Sequence, residues 1–75
     1  MKEKHYFEKP DANDILYLYK TNYNTIYVTD TITNKEVAIA DILRTEQDTY
    51  FICETENGEP VLRYTHQLIN PCQYI

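Results

Sequence analysis

Serine and tryptophan are absent from this chain, glycine occurs once, and cationic side chains number seven against twelve acidic ones. Each scarcity removes a class of activity. Without serine there is no seryl nucleophile, and without a Gly-rich loop there is no phosphate cradle of the P-loop kind. The seven basic residues, Lys2, Lys4, Lys9, Lys20, Lys35, Arg44 and Arg63, are scattered, and the formal net charge is −5. That argues against nucleic acid as a partner, because phosphate binding draws on clustered cations that displace counterions. An acidic protein is instead drawn towards a basic partner surface, and long-range attraction speeds the encounter. His5, Cys53, His66 and Cys72 form no C-x-x-C or H-x-x-x-H pair, so no metal site and no cofactor is expected.

No apolar run approaches the roughly 20 residues of a membrane span. The start, Met1 to His5, is charged with both signs and leads into no apolar signal region, so the expected address is the cytoplasm. Thiols stay reduced there, and Cys53 lies in an apolar alternation where a small buried hydrophobe fits. A thiol at a core position is a poor nucleophile. No enzymatic activity is expected.

What the sequence does hold is enough for one small domain. Its 75 residues are 43% hydrophobic and 25% charged, which excludes wholesale disorder, and such a chain has a net stability of only roughly 3–5 kcal/mol. Residues 1–9 read as an N-terminal extension and 10–75 as the folded unit. Short runs of Tyr, Ile, Val and Thr alternate with turn residues, the pattern of a mainly β protein.

Asn57-Gly58 is the strongest hairpin signal, since both residues tolerate positive φ. A two-residue turn there sets Cys53 opposite Leu62, Ile52 opposite Arg63 and Phe51 opposite Tyr64, so Phe51, Cys53, Leu62 and Tyr64 share one face. Arg63 then joins Ile52 and Val61 on the other, a semi-apolar face with a guanidinium, which is the composition of a contact patch.

A second hairpin, turning at Asn34-Lys35, sets Ile32 opposite Val37, Val28 opposite Asp41 and Ile26 opposite Leu43. It gathers Ile26, Val28, Ile32, Val37, Ile39 and Leu43 on one side. Asp30 and Asp41 fall on that same side, where buried charge is expensive. Either they form a binding carboxylate pair, or a bulge or strand end turns them to solvent. The segment 36–47 is expected as a strand bent near Asp41, in preference to a helix. Residues 11–20 are expected to form a short N-terminal helix, capped by Asp11 or Asn13, with an extra strand as the alternative. At the C-terminus, Asn70-Pro71 reads as a turn before a last short strand, and Pro71 keeps that position out of a central ladder. The whole fits a small, strongly bent five-stranded barrel of the SH3 or Sm type, with an open meander as the competitor. Tyr17, Tyr19, Tyr23 and Tyr27 could stack bases, but only Lys20 lies among them, which favours structural packing.

Residues 40–69, with Asp41-Ile42, Tyr50-Phe51, Glu54, Gly58-Glu59, Arg63 and Ile69, resemble the strand run of the Rho-binding antiterminator family of small Sm-like proteins, and are similar also to the barrel of WYL-type regulatory domains. The resemblance implies a non-enzymatic regulator that occupies the RNA site of the transcription terminator Rho, with Asp11 and Asp14 as acidic contacts. The expected partner is thus a protein with a basic surface, bound by a monomer or weak homodimer. Two alternatives stand beside it: a single-stranded nucleic-acid module, and a small mobile-element effector that binds through a strand edge.

Overall fold

A computed structural model describes residues 2–8 and 14–75. Its elements in chain order are β1 (Lys4–Tyr6), α1 (Ile15–Thr21), β2 (Tyr27–Asp30), β3 (Lys35–Arg44), β4 (Thr49–Glu54), β5 (Pro60–Tyr64), a 3-10 turn (Thr65–Gln67) and β6 (Leu68–Tyr74). Among the described residues the protein is mainly β, with six antiparallel strands in one open sheet of order β1-β6-β2-β3-β4-β5 and one short helix. Lys4–Tyr6, expected within an extension, is a strand at the sheet edge.

The helix begins where a cap can form. Asp14 accepts a hydrogen bond from the Tyr17 amide at 3.1 Å, satisfying one orphan donor of the first turn. The caps expected from sequence, Asp11 and Asn13, lie outside the described residues. At the other end both the side-chain and backbone N–H of Asn22 donate to the Leu18 carbonyl. Ile15 and Leu18, three apart and so on one face, enter a core completed by Ile26, Val28, Val37, Ile39, Phe51, Cys53 and Leu68. Each such large apolar side chain contributes about 1.5–3 kcal/mol by leaving water.

Both hairpins turn near the expected asparagines, but neither in the expected register. Between β4 and β5 a Thr55–Glu59 pair closes a loop of three residues, Glu56 to Gly58. The Gly58 amide donates to the Thr55 carbonyl at 2.9 Å, Gly58 takes φ 81°, and the Thr55 amide donates to the Glu59 carbonyl at 2.9 Å. This is a type I turn followed by a left-handed glycine. Cys53 therefore faces Val61, Ile52 faces Leu62, Phe51 faces Arg63 and Tyr50 faces Tyr64. A one-residue slip exchanges the faces of a strand, so Leu62 and Tyr64 leave the core side, and Val61 and Arg63 enter it.

Between β2 and β3 the loop is Thr31 to Asn34, with Asn34 at φ 60° and Val28 opposite Val37. That register differs from the expected one by four in the sum of partner numbers. An even difference preserves the faces, which is why Ile26, Val28, Val37 and Ile39 are buried together as expected. Ile32 falls in the loop and is exposed. Of the 36–47 segment, residues 36–44 form a bent strand as expected, and 45–47 lie in the turn to β4. The bulge of β3, between Ile39 and Asp41, brings Ile42 against Phe51 and turns Leu43 outward, correcting the expected place of Leu43 on the core side.

Pro71 is the other correction. β6 lies between β1 and β2, an interior position. Proline is accommodated because the register with β2 shifts between Cys72 and Ile69, leaving Asn70, at φ 52°, and Pro71 together in a bulge that needs no ladder donor.

The sheet is open yet strongly curved. β5 and β6 are four strand spacings apart in the sheet order, about 19 Å if the sheet were flat. One 3-10 turn of three residues joins them, and such a turn rises only about 6 Å. Curvature must bring their ends together. Two bonds hold that corner: the backbone and side chain of Thr31, just after β2, both donate to the Gln67 carbonyl, at 3.0 and 2.7 Å.

Candidate partner-binding surface

Curvature decides the fate of the charged residues singled out in the sequence. Asp30 ends β2 on the inner side and is 1% exposed. Arg63, placed on the inner side by the β4–β5 register, reaches it with Nε 2.9 Å from Oδ1, its own side chain 15% exposed. Ile32 N–H and Thr33 O–H donate to the same carboxylate at 3.0 and 3.1 Å. Burial pushes the Asp30 carboxyl up, but hydrogen bonds from Arg63, Ile32 and Thr33, with the attraction of the guanidinium, outweigh it and hold the pKa below the usual range. Asp30 is thus neither a solvated strand end nor half of a carboxylate pair. Asp41 is exposed at the β3 bulge, where it accepts from the Ile42 amide at 2.8 Å, as a bulge reading requires.

The expected contact patch of Ile52, Val61 and Arg63 is divided between two faces. Ile52 shares the outer face with Leu62, while Val61 and Arg63 point inward with Cys53 and Phe51. Arg63 Nη1 also donates to the Leu62 carbonyl at 2.8 Å, so its head group is committed to structure. Asp14 is exposed and serves α1 as its cap; Asp11 lies outside the described residues. The Asp30–Arg63 pair is hidden by the expected two-residue turn, which puts Arg63 on the face away from Asp30. A signal was available: a carboxylate on an apolar face requires a cation, and Arg63 is one of the few cations that the strands carry.

The outer face carries a different grouping. An open groove of about 1010 Å³ runs over β2, β3 and the β4–β5 loop, lined by Glu36, Glu54, Glu56 and Glu59, with Lys35 as its one cation and the small side chains of Ala38 and Ala40 in its lining. Glu36 is already occupied. Lys4 Nζ lies 3.2 Å away, Tyr74 O–H donates at 2.6 Å and the Cys72 thiol at 3.5 Å. Burial raises its pKa, and these donors more than reverse that. No described residue forms an ion pair with Glu54, Glu56 or Glu59. Nor do the carboxylates converge as a metal site would, since no group of three or more His, Cys, Asp or Glu among the described residues has that arrangement.

Both cysteines are free and fully buried. Burial pushes the Cys53 thiol up to about 11, with the Asp30 charge adding to it and Arg63 opposing. Cys72 is likewise raised to about 11, by burial and by its hydrogen bond to Glu36. Neither is a thiolate at neutral pH. The tyrosines form no single platform: Tyr19 packs edge-on against Phe51 on the core side, and Tyr27 packs edge-on against Tyr74. A row absent from the sequence reading, Tyr50, Tyr64 and His66, arises from the slipped register, with the two hydroxyls 3.0 Å apart and Tyr64 stacked on His66. Among the described residues, no helix is long and apolar enough to cross a membrane. Comparison of the chain with protein-family models, with curated proteins and with solved structures returns no match.

Proposed function

We propose that this chain is a non-enzymatic, protein-binding regulatory module whose acidic outer face engages a basic partner in the cytoplasm. The observation that carries the reading is the groove that Glu54, Glu56 and Glu59 line with Lys35, the three carboxylates having no ion-pair partner among the described residues. Unpaired carboxylates on a rigid sheet and its hairpin loop attract a cationic surface at long range and lose little entropy on contact. Exposed Asp14 at the start of α1 adds to the same sign of charge. The finer fold reading, a bent five-stranded SH3/Sm-like barrel, draws support from the order β6-β2-β3-β4-β5, the leading helix and the 3-10 turn between β5 and β6. With the family resemblance of residues 40–69, it makes Rho the first partner to test.

The test is titration of labelled protein with Rho across a salt series, beside the triple variant Glu54→Lys, Glu56→Lys, Glu59→Lys. Steep weakening with salt and a lowered association rate for the variant are expected, since rim charges act mainly on the on-rate. Binding indifferent to both salt and charge reversal overturns the acidic-face reading. Tight binding to short oligonucleotides at low salt, the most permissive condition, replaces it with the nucleic-acid alternative.

A further inference from the structure

The two edges of the sheet are finished differently. On β5 the outward positions are Pro60, Leu62 and Tyr64, because Thr55 and Glu59 form a hydrogen-bonded pair with β4 and the pattern alternates from there. Pro60 has no N–H, the Leu62 carbonyl accepts from Arg63 Nη1, and the Tyr64 amide donates to Gln67 Oε1 at 2.9 Å. That edge is largely blocked to an incoming strand. On β1 the amide and carbonyl of Glu3 both bond Ile75, at 2.8 and 2.9 Å, so His5 likewise faces β6, and Lys4 and Tyr6 present their backbone groups outward. Among the described residues nothing bonds to them.

From this we infer that β1 is a homodimerisation edge, pairing antiparallel with β1 of a second copy about a two-fold axis at His5. Alternation permits that register: Lys4 and Tyr6 both face outward, so they can pair with each other across the axis and exchange ladder bonds. Continuing outward sets Lys2 opposite Glu8 of the second copy and Glu3 opposite Phe7. Lys4 stands opposite Tyr6, the cation–aromatic combination already made within the strand at 5.0 Å. Residues 2–8 carry two lysines and two glutamates, a formal charge of zero inside a chain of −5. Two copies therefore meet at a locally neutral and self-complementary segment. The strand is three residues long, which makes the association weak and concentration-dependent.

Sedimentation velocity over a concentration series reads the association directly, and a disulfide trap reads its geometry. At a non-hydrogen-bonded pair the Cα atoms are about 4.5 Å apart, within disulfide reach, so His5→Cys is expected to link two chains under mild oxidation while Tyr23→Cys, on an exposed loop, links slowly. Cys53 and Cys72 are fully buried and do not compete. Lys2→Glu or Glu8→Lys alone should weaken the dimer roughly two- to fivefold, the range of an exposed pair, and the double exchange should restore it. A protein monomeric at millimolar concentration, or a His5→Cys chain that links no faster than Tyr23→Cys, overturns the inference. So does an edge that accepts only a foreign strand.

Discussion

Replacing Arg63 with methionine keeps most of the apolar stem and removes the cation that faces Asp30, which is 1% exposed. Removing one partner of a buried ion pair costs about 3–5 kcal/mol, because the other charge is stranded in a poor solvent. A chain of this size has roughly 3–5 kcal/mol in all. Arg63→Met should therefore be largely unfolded at neutral pH, by circular dichroism and by loss of a urea transition. Its pH response should also reverse. In the parent, the Asp30 pKa is held below that of the unfolded chain, so its contribution is complete above about pH 4 and is lost as pH falls through the folded value. Without Arg63, burial dominates and raises the folded pKa, so acidification should stabilise the variant while it destabilises the parent. The double variant Asp30→Asn, Arg63→Met should recover much of the loss, since an amide retains contacts to Ile32 and Thr33 without a buried charge. A loss below about 1 kcal/mol for Arg63→Met, the scale of an exposed pair, would refute the reasoning.

Gly58→Ala should cost about 1–2 kcal/mol in urea denaturation, all of it backbone strain at φ 81°, because the new Cβ meets only Glu54 Oε1 at an ordinary 3.7 Å; Gly58→Asn should cost less. Cys53 and Cys72 should resist a thiol reagent until the protein unfolds. Because both thiols titrate at about 11 when folded and near about 8.5 when unfolded, the unfolded state gives up its thiol protons first. Stability should fall as pH rises above about 8.5, and a Cys53→Ala, Cys72→Ala chain should show less of that fall.

Much of the architecture was legible in local pattern. The alternation of Ile26, Val28, Val37 and Ile39 marks a buried face, Asn34 and Gly58 mark reversals because each takes positive φ, and the bend near Asp41 follows from a strand that carries a charge into an apolar row. The candidate surface was less legible. A single residue of loop length decides the face of Arg63, and nothing local gathers Glu54, Glu56 and Glu59 into one binding surface. A two-residue and a three-residue loop through Glu-Asn-Gly differ little in local energy, so nothing in the stretch itself chooses between them.

The amino-acid order alone determined the mainly β character, the places where the chain turns back, the acidity of the surface and the poverty of nucleophiles, since each depends on residue type or on neighbours a few positions away. Only the tertiary structure decided which faces meet. The three-residue loop points Arg63 inward, where the curved sheet delivers it to Asp30 from 33 positions earlier in the chain. A stranded buried carboxylate costs several kcal/mol, whereas the competing loops differ by a fraction of that, so the long-range pair outweighs the local preference.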